Sequence, residues 1–545
     1  MQRRTFLKEG AAAAAAVTVV SAGALAGCAA GGGAKNAAAE PLDDLPQGAL
    51  ATDLVEAPAG TFRGYVPQNA PAVRVFRGIP FIKNPYEPVR RFLKPEPIEK
   101  LPGITNCFRP GSIPLQPGTP GKGPRMIGGD GPLTLNVWAP KSGKNHPVMV
   151  WVPGGGSIQC NPNDPRFDGT AFAEDGVVLV TIAYRVNVDG FLKIQGGDSN
   201  LGNRDIIAGL EWVKKNIAAF GGDPDKITAF GQSAGGTHLV DVIASPLAKG
   251  LLAGAIIQSP SAIAQWTNDR QADRAAKLVA DALDAEPTRE SMMAVPFERL
   301  ADFRPLAGKL AGDLDWAQMT DGNTSLFKGW IDGDLMPERP IDAIRRGRAA
   351  GLHVIAGSMA SEWRHYIVPN GQISKVDERA VEKLLAGANL PKELSRLYRQ
   401  AGRGEKPGDR FAQIQSDIIF RMPAMRLTEA LAAGGAEVWS YSFDWKSPVR
   451  GKSGEPIGAA HSNDVPFVFK TLEAPRAVAS LGRNPPKALS DFIHARWVEF
   501  AKTGHPGWTR FDFHGRRAMR FDAVSKEVSD PWAFERSVMP LPPVR

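Results

Sequence analysis

Three cysteines in 545 residues are too few to staple a fold. Cys28 lies near the N-terminus, so Cys107 and Cys160 leave room for at most one bridge, and sequence alone does not bring them together. A disulfide scaffold is excluded even for a chain that meets an oxidising compartment. Histidine is scarce as well. The eight His residues are dispersed, with no Cys/His or His/carboxylate group at ligand spacing, so a metal site is not expected, and no other cofactor is implied. Basic runs are missing outside the extreme N-terminus, and a formal charge of +8 on a chain this long is modest. Nucleic acid is therefore not an expected partner, and the surplus reads as surface solvation. Even the Ala/Val-rich stretch from Ala11 to Leu25 falls short of the roughly 20 strongly apolar residues that a membrane span needs.

What stands at the N-terminus instead is an address. Arg3-Arg4 precedes Phe6-Leu7-Lys8 and the Ala-rich stretch, the pattern of a twin-arginine export signal over residues 1–27. It ends in Leu25-Ala26-Gly27-Cys28, which resembles a bacterial lipobox with Cys28 as the lipidated residue; an ordinary small-residue cleavage site with Cys28 incidental is the alternative. Either reading sends the protein to the periplasm or cell envelope, with a lipid anchor as its sole expected tie to a membrane. Loss of Arg3, Arg4, Lys8 and Glu9 lowers the charge from +8 to +6. Residues 28–50, rich in Ala and Gly and without apolar period, read as a flexible tether.

Beyond the tether, with 43% apolar residues, 58 Gly and 45 Pro, the composition is that of a globular chain with many turns. Short β-branched runs at Leu133–Trp138, Val148–Val152, Val177–Tyr184, Ile227–Phe230, Ala255–Gln258 and Val354–Gly357 read as strands. Ile206, Leu210, Val213 and Ile217 recur at helical spacing between two of them and stop at Gly221-Gly222-Asp223-Pro224. Strands alternating with helices imply an α/β fold with a mainly parallel sheet. No repeat and no later linker divides residues 51–545, so one domain is expected.

Within that frame, Gly231-Gln232-Ser233-Ala234-Gly235 fits the G-x-S-x-G elbow. The pattern alone is weak in a glycine-rich chain. Here Lys226–Phe230 reads as a strand and Ala234–Ala248 as a helix, which would set Ser233 on the sharp turn a nucleophile requires. Acyl transfer also needs preorganised N–H donors for an oxyanion. Pro153-Gly154-Gly155-Gly156 follows a strand, which makes Gly155, Gly156 and the Ala234 amide the candidate donors.

Longer blocks resemble the type-B carboxylesterase family, which includes bacterial esterases and the cholinesterases. They are Phe76-Arg77-Gly78-Ile79-Pro80-Phe81, Leu135-Asn136-Val137-Trp138, Asn203-Arg204-Asp205 through Phe230-Gly231-Gln232-Ser233-Ala234-Gly235-Gly236, and Phe500-Ala501-Lys502-Thr503-Gly504. The resemblance spans nearly all of residues 51–545. It implies an α/β-hydrolase fold with helices on both sheet faces and sizeable insertions, and hydrolysis of small-molecule carboxylic esters. It also supplies partners for Ser233 that spacing alone could not select. Gly357-Ser358-Met359-Ala360-Ser361-Glu362 resembles the acid segment and Gly458-Ala459-Ala460-His461 the base segment, which implies a Ser233, Glu362, His461 triad. Ser259 resembles a family position beside the triad.

The chain departs from the family pattern in four places. Pro153 stands where His is usual before the glycines, and Ser157 where an aromatic follows them. Ser112 and Pro132 occupy the sites of an early disulfide, and no Trp lies between Gln116 and Leu133, so a choline ester is not the expected preferred substrate. Two rival functions remain on the same fold: a catalytically silent binding protein, and a hydrolase that prefers amides, thioesters or lactones.

Overall fold

Residues Val148 to Val152 explain why this chain builds a sheet covered on both sides. Val148, Val150 and Val152 pack into one buried cluster, while Met149 and Trp151 pack into another. Side chains alternate along a strand, so a strand apolar at every position must be buried on both faces. The same alternation sends Ala255 and Ile257 to the first cluster and Ile256 to the second.

The computed structural model describes residues 44–118, 123–261, 268–301 and 326–539. The expected signal, Cys28 and the tether up to residue 43 lie outside the described residues. The tether expectation ran to residue 50, yet Asp44 pairs with Arg109 and Leu50 already opens the first strand.

Twelve strands form the main sheet: β1 (Leu50–Ala51), β2 (Tyr65–Val66), β3 (Val73–Ile82), β4 (Leu133–Pro140), β5 (His146–Val152), β6 (Val178–Ile182), β7 (Gly222–Gln232), β8 (Gly254–Gln258), β9 (His353–Met359), β10 (Glu437–Phe443), β11 (Arg517–Phe521) and β12 (Lys526–Ser529). Their spatial order is β1-β2-β3-β4-β6-β5-β7-β8-β9-β10-β11-β12. The seven strands from β6 to β11 in that order are parallel, with antiparallel strands at both edges. After β5 the chain goes to one side for β6 and returns to the other for β7. The strand order thus reverses at β5, and a crevice opens at the carboxyl ends of β5 and β7, where open α/β sheets hold their ligands.

Five helices bear on the site: α1 (Leu201–Asn216), α2 (Ala234–Ala244), α3 (Pro407–Ser416), α4 (Met422–Ala433) and α5 (Lys487–Thr503). Ile206, Leu210 and Val213 of α1, Leu239 of α2 and Leu427 of α4 cover one face. Ile493, Trp497 and Phe500 of α5 cover the other, against Phe230, Ile355 and Trp439. Fully burying one such large side chain contributes ~1.5–3 kcal/mol. Helix α1 runs on through a 3-10 turn to Gly221, whose φ of 91° ends it. The helix expected to reach Ala248 stops at Ala244, because Ser245 is extended ahead of Pro246.

Candidate active site

Steric demands shape the elbow before any chemistry does. Ser233 leaves β7 at φ 59° and ψ −127°, a strained conformation for a residue with a Cβ. The turn folds α2 back against β5 so closely that a Cβ on Gly235 would lie 2.1 Å from the Val152 carbonyl oxygen. A Cβ on Gly231 would lie 2.8 Å from the Gly235 carbonyl, so glycine is required on both sides of the serine. The strained backbone is held at each end: Ser233 N–H donates to Gln258 O at 2.9 Å, and Thr237 N–H donates to Ser233 O at 2.9 Å.

Strand β9 delivers Glu362 just past its carboxyl end, and the loop after Gly458 delivers His461. Glu362 is fully buried, and its Oε1 accepts the Met359 N–H at 2.7 Å. Its Oε2 lies 2.6 Å from His461 Nδ1. A carboxylate there keeps the imidazole proton on Nδ1 and leaves Nε2 as the free base. The Gln232 carboxamide nitrogen of the elbow lies 3.1 Å from His461 Nε2 and 3.4 Å from Nδ1, over the ring and not in line with Nε2, and Ser462 Oγ donates to Gln232 Oε1 at 3.0 Å. The structure thus joins Glu362 to His461 directly and brings both to the elbow. It does not join Ser233 Oγ to His461 by a hydrogen bond.

Phe420 packs on the His461 ring at 4.5 Å between centroids. It comes from a π-turn, Asp417–Arg421, between α3 and α4. The same region grips the acid loop: Arg421 Nη2 donates to Ala360 O at 2.6 Å, and the Trp363 N–H donates to Ser416 Oγ at 2.9 Å. A π-turn adds one residue to the helix and so aims Phe420 and Arg421 together at the loop.

Beneath the pair, Asp464 accepts from Gln258 Nε2 at 2.8 Å and from Tyr441 Oη at 3.2 Å. Burial pushes its carboxyl up to about 6, with the charge of Glu362 adding to the effect and the hydrogen bonds opposing it. Gln232, Phe420 and Asp464 carried no role in the sequence reading. Asp464 stood three places after His461, and a charged residue directly before the apolar run Val465–Phe469 was the available signal.

The glycine loop lies against the elbow, since a Cβ on Gly154 would meet Gln232 O at 2.5 Å. Gly155 has φ 143° and Gly156 φ 64°, and a Cβ on Gly155 would lie 2.0 Å from Gln159 O. Among the described residues, the N–H groups of Gly155, Gly156 and Ala234 donate to no protein acceptor. Ala234 opens α2, where orphan amides are the rule. Ser259 ends β8 beside the elbow, buried at φ 47°, with its N–H on Gly357 O at 2.8 Å and its Oγ unpartnered among the described residues. Cys107 and Cys160 are both buried and unpaired, and burial raises both thiols. In place of the missing disulfide, Ser112 Oγ hydrogen-bonds Asp130.

The chain and its fold have relatives. The para-nitrobenzyl esterase of Bacillus subtilis (strain 168) is 31% identical over 485 residues, which are 85% of this chain and 94% of that one. A human cocaine esterase is 27% identical over 481 residues, 81% of this chain and 82% of that one. Among solved structures, the Geobacillus stearothermophilus carboxylesterase EST55 superposes with a TM-score of 0.76 at 31% identity, covering 89% of this chain and 99% of that one. The profile described as "Carboxylesterase family" matches residues 51–531, from the first strand to beyond the last. A match of that extent leaves no part of the sheet unaccounted for, and the chain belongs to the carboxylesterase family.

Proposed function

We propose that this carboxylic ester hydrolase works through an acyl-enzyme on Ser233, with His461 as the base and Glu362 holding the base in its reactive tautomer. The observation that carries the reading is the buried 2.6 Å contact between His461 Nδ1 and Glu362 Oε2, with the Gln232 carboxamide of the elbow against the same ring. As substrate seats, His461 Nε2 and Ser233 Oγ come into hydrogen-bond contact; catalytic hydrogen bonds commonly tighten only in the substrate complex. Ser233 Oγ attacks the ester carbonyl while Nε2 takes its proton, and the imidazolium that forms is stabilised by Glu362. The oxyanion is received by the free N–H groups of Gly155, Gly156 and Ala234. The protonated His461 releases the alcohol, and water then repeats the sequence to free the acid.

A panel of chromogenic esters, para-nitrobenzyl esters among them, set beside matched amides, thioesters and lactones tests the reading. Esters are expected to turn over at least tenfold faster than amides, and an organophosphorus ester is expected to label Ser233 and stop turnover. Faster amide cleavage, or labelling elsewhere with Ser233 unmodified, would sink it. Absence of turnover on every substrate would support the silent binding protein.

We further propose that residues 1–27 export the chain to the cell envelope and that Cys28 becomes its lipid anchor. The support is the order of Arg3-Arg4, an Ala-rich stretch and Leu25-Ala26-Gly27-Cys28. No helix among the described residues is long and apolar enough to cross a membrane. Each acyl CH₂ contributes about 0.8 kcal/mol to membrane affinity, so several chains hold a folded domain firmly. Cys28→Ser is expected to move the enzyme from the membrane fraction to the soluble one with its specific activity intact. Wild-type protein that is already soluble, with an unmodified Cys28, would contradict the anchor.

A further inference from the structure

Ser157 is the residue at which this chain abandons the family's aromatic. Its hydroxyl lies 3.0 Å from Nε2 of His238, a buried contact between the end of the glycine loop and the second turn of α2. His238 is 1% exposed, stacked on Phe191 at 4.5 Å and 8°, with Tyr184 edge-on at 5.3 Å. Its Nδ1 has no partner among the described residues. An imidazole buried in this way is neutral, since burial takes its pKa down to about 3. Ser157 itself sits at φ 59°, a costly conformation for a serine, which the surroundings must impose. The Asn187 N–H donates to Ser157 O at 2.7 Å, and Tyr184 Oη donates to Pro153 O at 2.6 Å at the loop's other end.

The position of this contact gives it consequence. Two of the candidate oxyanion donors, Gly155 and Gly156, belong to the loop; the third, Ala234, belongs to α2. Glycine at three successive positions leaves the loop no side chain of its own to fix its distance from α2. We infer that Ser157 and His238 form a strap that sets the spacing between the two halves of the oxyanion hole, and that both are positioning residues for transition-state stabilisation. The inference rests on the proposed role of Gly155, Gly156 and Ala234.

A strap of this kind acts on the oxyanion and not on the ester as it binds, so its loss is read in kcat and not in KM. Ser157→Ala deletes one hydroxyl, and His238→Phe keeps the stack on Phe191 while removing the nitrogen. Each is expected to lower kcat about 10- to 100-fold, the range that follows from a displacement of order 1 Å in a reacting group, with KM within twofold. Because both break one link, the double variant is expected to match the worse single one. His238→Gln, which can still reach the hydroxyl, should recover at least a third of wild-type kcat. A trifluoromethyl ketone, whose adduct on Ser233 places a tetrahedral oxyanion in the hole, should lose affinity in step with kcat/KM. Thermal melting checks that each variant folds. The strap is refuted if Ser157→Ala keeps kcat within threefold, if KM rises as much as kcat falls, or if ketone affinity is unchanged while kcat drops. Activity retained by Ser233→Ala would instead overturn the underlying triad reading, so the two failures are distinct.

Discussion

Replacing Ser233 by Ala, or His461 by Ala, is expected to remove about 10⁵- to 10⁶-fold of the ester turnover, and removing both is expected to cost little more. Ser233 and His461 handle one proton between them, while Glu362 orients and stabilises the imidazole. Without Ser233 there is nothing for the base to activate, and without His461 the hydroxyl keeps its proton and is a poor nucleophile. The donors at Gly155, Gly156 and Ala234 survive in every variant, so a residue of activity above water should persist. Turnover by each purified variant, with folding confirmed by its melting temperature, is the measurement. His461→Ala within tenfold of wild type would mean that another residue is the base.

Glu362→Gln is expected to cost about 10⁴-fold, less than the loss of serine or histidine, with little change in melting temperature. The amide fits the same space. Its oxygen can still accept the Met359 N–H, which leaves the NH₂ group against His461 Nδ1. Two donors cannot share that contact, so the imidazole proton moves to Nε2 and the base is lost in the ground state. The negative charge that steadied the imidazolium goes with it. Glu362→Asp keeps the charge but shortens the reach, and its rate should fall between wild type and Gln. A Gln variant with more than a tenth of wild-type activity would show that the carboxylate does not set the tautomer.

The central strands were legible because each is apolar on both faces. The elbow was legible because Gly231 and Gly235 answer a steric demand that leaves a local mark. Other strands were harder: the inner strand β10 reads Val438-Trp439-Ser440-Tyr441-Ser442-Phe443 with two buried serines, and β1 and β2, at one edge, are two residues each. Short edge strands owe their existence to a partner, not to their own pattern. Glu362 and His461 were reached through family resemblance alone, since an acid and a histidine 99 positions apart have no spacing that joins them. Ser157 and His238 are 81 positions apart and meet through packing. The sequence marked Ser157 as a departure but could not say what it touches. Phe420 went unseen because a π-turn has no signature in residue type.

Gln232 and His461 touch although 229 positions separate them along the chain. A ribosome adding about 5–20 residues each second needs roughly 11–46 s to cross that gap. By then β5, β7 and β8 have long been made, and with them the glycine loop and Ser233. The proposed base comes late, after every strand of the main sheet except β11 and β12. On the proposed triad, a nascent chain therefore carries its nucleophile before its base, and fragments ending between Gln258 and His461 are expected to show no more turnover than His461→Ala. In that reading, full hydrolytic power arrives only when synthesis is almost finished.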